Sequence, residues 1–159
     1  SFMLGILSHK RHIVGIDYDS NKIDVARNAL LCHHADVRFE CGDMRTTALP
    51  ASDVILFNDS LHYIDCEAQL QVLTRAVNAL TDRGFIIVRD GNASQGERHS
   101  KTRMTEIWST KIMRFNKTSD ELHFVDAEWM ERFAHDNGLQ IEVRQCDEDS
   151  SQTIYLLTK

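Results

Sequence analysis

The sequence predicts an α/β fold, a three-layer α/β/α sandwich on a mostly parallel sheet with an antiparallel C-terminal strand. Three observations predict it. Apolar, strand-like runs alternate with segments of helical periodicity. The connections in the first part are long enough for helical crossovers, which neighbouring parallel strands require. The last two strand-like runs are joined by a short polar turn, so they must pair antiparallel.

The elements follow in order. Residues 2–7 form an apolar helical stretch that contains Gly5. Residues 12–16 are a short β-type run ending in Asp17, and Asp19-Ser20 caps a helix with Ile23, Ala26, Ala29 and Leu30 on one face. Residues 37–41 read as a strand ended by Gly42-Asp43, and the apolar run 53–57 as a buried strand. Asp65 caps a helix whose apolar positions are Leu70, Leu73, Val77 and Leu80, and Asp82-Arg83-Gly84 stops it. Residues 85–88 are another buried strand. An amphipathic helix is expected over 98–115, with Met104, Trp108, Ile112 and Phe115 along one stripe. Asp126 caps a helix carrying Trp129, Met130 and Phe133, which Asn137-Gly138 ends in the left-handed manner. Strands at 139–145 and 153–157 close the chain around the turn at 147–151.

A chain of 159 residues is expected to be a single domain, 1–159, with an ordinary apolar and charged content. No apolar run approaches the ~20 residues that cross a membrane, and residues 2–7 lack the pattern of a signal peptide. Cys32, Cys41, Cys66 and Cys146 have no metal-ligand spacing. Reduced thiols in a cytoplasmic protein, with no bound metal and no disulfide framework, are the expectation. The net charge of −6 speaks against a nucleic-acid partner. One segment departs from that balance: Arg98, Lys101, Arg103, Lys111, Arg114 and Lys117 face only Glu106.

In open parallel α/β sheets, ligands bind beyond the carboxyl ends of the strands. Here those ends read Asp17-Tyr18, Gly42-Asp43-Met44, Asn58-Asp59 and Arg89-Asp90. An acid after the second strand suits a pair of ribose hydroxyls, because a carboxylate accepts two hydrogen bonds side by side. The same residue type also caps helices and shapes turns, which is the plainer reading of each.

The stretch His12-Ile13-Val14-Gly15-Ile16-Asp17-Tyr18-Asp19-Ser20, with Ala26-Arg27-Asn28 after it, resembles the second motif of the class I, Rossmann-like S-adenosylmethionine-dependent methyltransferases. Cys41-Gly42-Asp43-Met44 resembles their third motif. The run from Asp53 through Asn58-Asp59-Ser60-Leu61-His62-Tyr63 resembles the fourth, and the run from Leu80 to Val88 the fifth. The resemblance implies S-adenosylmethionine as cofactor. Asp17 would hold the ribose hydroxyls, Tyr18 would lie against the adenine, and Asp43 would receive the adenine amine beside the Met44 backbone. Asn58 and Asp59 would line the methionine part and the space near the methyl group. The family's first strand and glycine-rich loop would precede Phe2. The expectation is therefore an N-terminally incomplete domain that holds the cofactor weakly by itself, with a fusion to an upstream domain as one arrangement.

Methyl transfer from a sulfonium mainly requires alignment of nucleophile, methyl carbon and sulfur. A base is needed only where the acceptor must lose a proton. His62 is the candidate for that role, against a packing or positioning role, and Asp59 is the candidate for orienting the substrate. Residues 91–125 would form a substrate-recognition or lid segment, and its basic residues suit an anionic small molecule or a carrier-protein-bound acceptor. Two other functions compete. An NAD-dependent oxidoreductase also carries an acid after its second strand, and a methyltransferase-like domain can serve as a non-catalytic module of a larger protein.

Overall fold

A computed structural model describes residues 2–8, 10–30, 36–91, 122–145 and 152–159. The helix expected over 98–115, the turn at 147–151, Cys32 and Cys146 lie outside the described residues. The chain divides into two compact units, Ser1–Ala48 and Leu49–Lys159.

The first unit contains α1 (Phe2–Leu7), β1 (Ile13–Asp17), α2 (Ser20–Leu30) and β2 (Val37–Cys41). β1 and β2 pair parallel, in register from Ile13↔Val37 to Asp17↔Cys41, with α2 as the crossover the sequence predicts. Asp19 starts that helix, its Oδ1 accepting the Asn21 N–H at 2.9 Å. Ile23 is buried, whereas Ala29 faces solvent. The guanidinium of Arg27 donates twice to the Phe39 carbonyl, at 3.1 and 2.9 Å, and so ties α2 to the middle of β2.

The second unit contains β3 (Ser52–Asn58), a 3-10 turn at Leu61–Tyr63, α3 (Cys66–Ala79), β4 (Leu80–Gly91), α4 (Ala127–Asp136), β5 (Gln140–Gln145) and β6 (Gln152–Thr158). Its sheet has the order β3-β4-β6-β5. β3 and β4 are parallel, and β6 runs antiparallel to both β4 and β5, as the short polar turn requires. Burial along β6 alternates strictly: Thr153, Tyr155 and Leu157 are inside, and the residues between them are half-buried. Ile86, Val88 and Asp90 do the same on β4. These side chains share the core with Val72, Leu73, Ala76 and Val77 of α3 and with Met130, Phe133 and Ala134 of α4.

Three details differ from the sequence expectation. In α3 the inward stripe is Gln69, Val72, Leu73, Ala76 and Val77, while Leu70 keeps 46% of its surface. A glutamine takes the inside place because three backbone carbonyls await its amide there, as described below. The helix also ends before Asp82-Arg83-Gly84. Leu80 is already extended and pairs with Ser52, and the following residues bulge before the ladder resumes at Val54↔Phe85. β3, finally, is not the doubly buried strand its apolar run suggests. Among the described strands it is the outermost of its sheet, and Val54 and Leu56 stay 46% and 45% exposed.

The two other N-caps read from sequence are present as well. Asp65 accepts the Ala68 N–H at 2.8 Å, and Asp126 accepts the Glu128 N–H at 3.0 Å. Gly138 ends α4 with φ +67°, which an L side chain adopts only under strain.

Candidate active site

In the first unit, β1 and β2 end side by side, so the residues that follow them leave the same edge. The Gly42 N–H donates to the Asp17 carbonyl at 3.0 Å, which fixes the Gly42-Asp43 turn to the end of β1. A Cβ on Gly42 would lie 2.4 Å from the Thr47 hydroxyl, so any larger residue there would have to displace that hydroxyl. Asp17 turns one carboxylate oxygen to the Asp19 N–H at 2.9 Å and keeps the other as an acceptor. Tyr18 is 45% exposed, with its carbonyl accepting from the Cys41 thiol. Met44 is half-buried.

Asp43 is engaged more fully. Its carbonyl accepts from Thr46 and Thr47, at 3.0 and 2.8 Å, which closes the turn after β2. Arg45 folds back on its carboxylate: the backbone N–H and Nε reach Oδ1 at 2.8 and 3.1 Å, and Nε and Nη2 reach Oδ2 at 3.0 and 2.6 Å.

In the second unit, Asn58 ends β3 and Asp59 follows it, at the edge where β4 carries Arg89. Asn58 and Arg89 are ladder partners, and the Asp59 N–H donates to the Arg89 carbonyl at 2.8 Å. Because β6 runs the opposite way, its first residue, Gln152, arrives at this edge as well. The Arg89 guanidinium donates to the carboxylate of Asp59, to Asn58 Oδ1 and to Gln152 Oε1, joining the ends of three strands. Among the described non-glycine residues, Asp59 is the one with positive φ, +49°. Its Oδ1 is buried without a hydrogen-bond partner among the described residues. A strained acid with an orphaned acceptor is a common mark of a functional position.

His62 goes inward. Its side chain is fully buried, and its Nδ1–H donates to Asp90 Oδ1 at 2.5 Å. The His62 and Gly91 backbone N–H groups also donate to that carboxylate, at 3.2 and 2.8 Å. The His62 carbonyl accepts from the His123 N–H at 3.0 Å, and the ring packs against Tyr63 and Phe124. Gln69 closes this arrangement. Its Nε2 donates to the carbonyls of Leu61, Ile64 and His123, at 3.1, 3.1 and 2.6 Å. Tyr155 lies in the same core, where burial pushes its phenol up to about 12. The Thr153 side chain works against that rise, and the carboxylates of Asp126, Asp90 and Glu131 add to it.

The predicted residues thus fall into three settings. Asp17, Tyr18, Asp43 and Met44 line the strand-end edge of the first unit. Asn58 and Asp59 stand at the corresponding edge of the second, and His62 lies in its core. Sequence reasoning assigned no role to Arg89, Gln152, Asp90 or Gln69. The strand-end pattern contained a signal for Arg89 and Asp90, which alternate to opposite faces of β4. Gln152 follows only once β6 is known to be antiparallel. A shallow depression along α4, lined by Glu128, Glu131, Arg132, His135 and Asp136, contains none of the predicted residues. No cluster of metal-ligating side chains occurs among the described residues.

Comparison with known proteins settles the family. The profile of a methyltransferase domain matches residues 2–142. The chain belongs to the methyltransferase-domain family. This assignment favours the methyltransferase reading over the oxidoreductase one. Among curated proteins, the domain is similar to the carboxy-S-adenosyl-L-methionine synthase of Helicobacter hepaticus, with 31% identity over 84 residues, covering 53% of this chain and 35% of that protein. The chain thus spans about a third of the length of that relative. Among solved structures it is similar to an O-methyltransferase family protein from Burkholderia thailandensis, with 22% identity, a TM-score of 0.66, and coverage of 92% of this chain and 43% of that one. It is also similar to the magnesium protoporphyrin IX methyltransferase of Synechocystis, whose crystal structure contains bound SAH, with 15% identity, a TM-score of 0.71, and coverage of 100% of this chain and 68% of that one. These likenesses establish the Rossmann-like α/β fold of the methyltransferase domain. Among the described residues, no helix is long and apolar enough to cross a membrane.

Proposed function

We propose that this domain transfers the methyl group of S-adenosylmethionine to a small-molecule or carrier-bound acceptor. The observation that carries the reading is the pair Asp17 and Asp43 at the ends of adjacent parallel strands in a methyltransferase-domain chain. Asp17 retains a free acceptor oxygen suited to ribose hydroxyls. Separately, in the second unit, the buried Oδ1 of Asp59 has no hydrogen-bond partner among the described residues and suits a hydrogen-bond donor.

When bound, the sulfonium cofactor supplies an already activated methyl group. The chain's own residues then hold and orient. Arg89 fixes the Asp59 carboxylate, and Gln152 steadies the guanidinium from the other side. His62 acts in this reading as a positioning residue: the His62–Asp90 contact anchors the turn that follows Asp59 to the end of β4. Its complete burial speaks for that role over proton abstraction. The basic residues between 98 and 117 speak for an anionic acceptor, free or carrier-borne.

Calorimetry with S-adenosylhomocysteine on the full-length protein tests this. Asp17→Ala is expected to weaken binding by about ten- to a hundredfold, the loss for two hydrogen bonds to a charged group. Unchanged affinity would refute the assignment. Tight binding with no methyl transfer to any acceptor offered would leave a non-catalytic module.

A further inference from the structure

We infer that Arg45 is an internal competitor for Asp43, occupying the carboxylate that the nucleoside amine must reach. The inference rests on the cofactor reading above and concerns how that same site is regulated.

A carboxylate offers about four lone-pair sites. On Asp43 three N–H donors of Arg45 make four contacts, the Nε–H shared between the two oxygens: two reach Oδ1 and two reach Oδ2, between 2.6 and 3.1 Å. The guanidinium lies against both oxygens in a planar, two-pronged fashion that an ammonium cannot copy. An exocyclic amine that approaches Asp43 therefore competes with the Arg45 donors for the same two oxygens.

The fold makes that displacement feasible. Asp43 and Arg45 share one tight turn, closed by Thr46 and Thr47 on the Asp43 carbonyl, so the backbone stays in place when the guanidinium leaves. The Arg45 and Asp43 side chains are 59% and 36% exposed, so water takes over the released donors. An ion pair this exposed is weak and salt-sensitive. It acts as a small, constant tax on nucleoside binding, reduced when ionic strength rises. It also selects. A base with an amine at the ring position competes with the pair for Asp43, whereas a base with a carbonyl there can accept from Arg45 with the pair intact.

The test is calorimetry on full-length protein, titrating S-adenosylhomocysteine and S-inosylhomocysteine into the wild type, Arg45→Ala, Asp43→Asn and the double variant. Arg45→Ala is expected to bind the adenosyl compound about two- to fivefold more tightly, the scale of an exposed ion pair. The gain should shrink in high salt and be absent for the inosyl compound. It should vanish in the Asp43→Asn background. Equal or weaker adenosyl binding by Arg45→Ala, or a gain that persists without Asp43, overturns the competition. Binding to the wild type that is indifferent to Asp43→Asn refutes the assignment of Asp43 itself, and no binding by any form refutes the cofactor reading.

Discussion

His62 Nδ1 lies 2.5 Å from Asp90 Oδ1, and neither side chain retains more than 1% of its surface. The carboxylate also receives two backbone N–H groups, from the turn after β3 and from the end of β4. One buried acid therefore joins two strand ends of the second unit and orients an imidazole through the proton on Nδ1.

Removing that acid should be costly. Asp90→Ala strands three buried donors, and breaking a buried, hydrogen-bonded pair typically costs about 3–5 kcal/mol. Urea unfolding of wild type and variant measures it. Asp90→Asn, which retains part of the bonding, should lose less. A loss below ~1 kcal/mol for the alanine variant would mean that the pair holds nothing together.

Gln69→Leu places an apolar side chain where the α3 stripe otherwise has one, yet it should destabilise. The carbonyls of Leu61, Ile64 and His123 lose a donor, with Leu61 retaining the Ile64 N–H, and each buried group left unsatisfied costs about 1–3 kcal/mol unless water replaces it. The amide of His123, which donates to the His62 carbonyl, should then exchange faster with deuterium. Unaltered exchange at His123 would show that Gln69 does not secure that segment.

Tyr155 predicts an alkaline limb in stability. Its folded phenol titrates at about 12, above the ~10 of an unfolded tyrosine. The native state therefore keeps its proton after the unfolded chain has lost it. The contribution is complete below pH ~10 and is lost as pH rises toward ~12, amounting to about 2–3 kcal/mol. Denaturation midpoints across that range should fall more gently for Tyr155→Phe than for the wild type. Parallel curves would assign the alkaline loss to other groups.

Gly138→Ala is a clean probe of backbone strain. An added Cβ meets nothing within 4 Å, so the φ of +67° is the only obstacle. A loss of about 1 kcal/mol is expected, and a smaller one for Gly138→Asn. Thermal unfolding distinguishes the two, and equal stability of the alanine variant and the wild type would contradict the left-handed cap.

Much of this was legible from local chemistry. Asp65 and Asp126 bond one turn ahead and Gly138 acts through its own φ, so a short window of sequence contains the whole cause. The antiparallel pairing of β5 and β6 follows from a connection too short for anything else. The mistakes arose where a distant partner decides. Asp82-Arg83-Gly84 resembles a helix stop, but Leu80 is taken earlier by Ser52 across the sheet. Gln69 looks like a surface residue beside an inward Leu70 until the carbonyls of the Leu61–Tyr63 turn and His123 come into view. The candidate site divides the same way. Its acids were visible as strand-end residues, whereas the Arg89–Gln152 contact needed the direction of β6, and the pairing of Asp43 with Arg45 needed a side-chain conformation.

The position of β6 has a consequence for how the second unit comes into being. Although it follows β3, β4 and β5 in the chain, it lies between β4 and β5, matching seven residues of one and six of the other. During synthesis the ribosome must release Gln152–Thr158 before either neighbour has its mate. Until then the edges of β4 and β5 that β6 will cover are unpaired, and exposed strand edges of this kind favour association between chains.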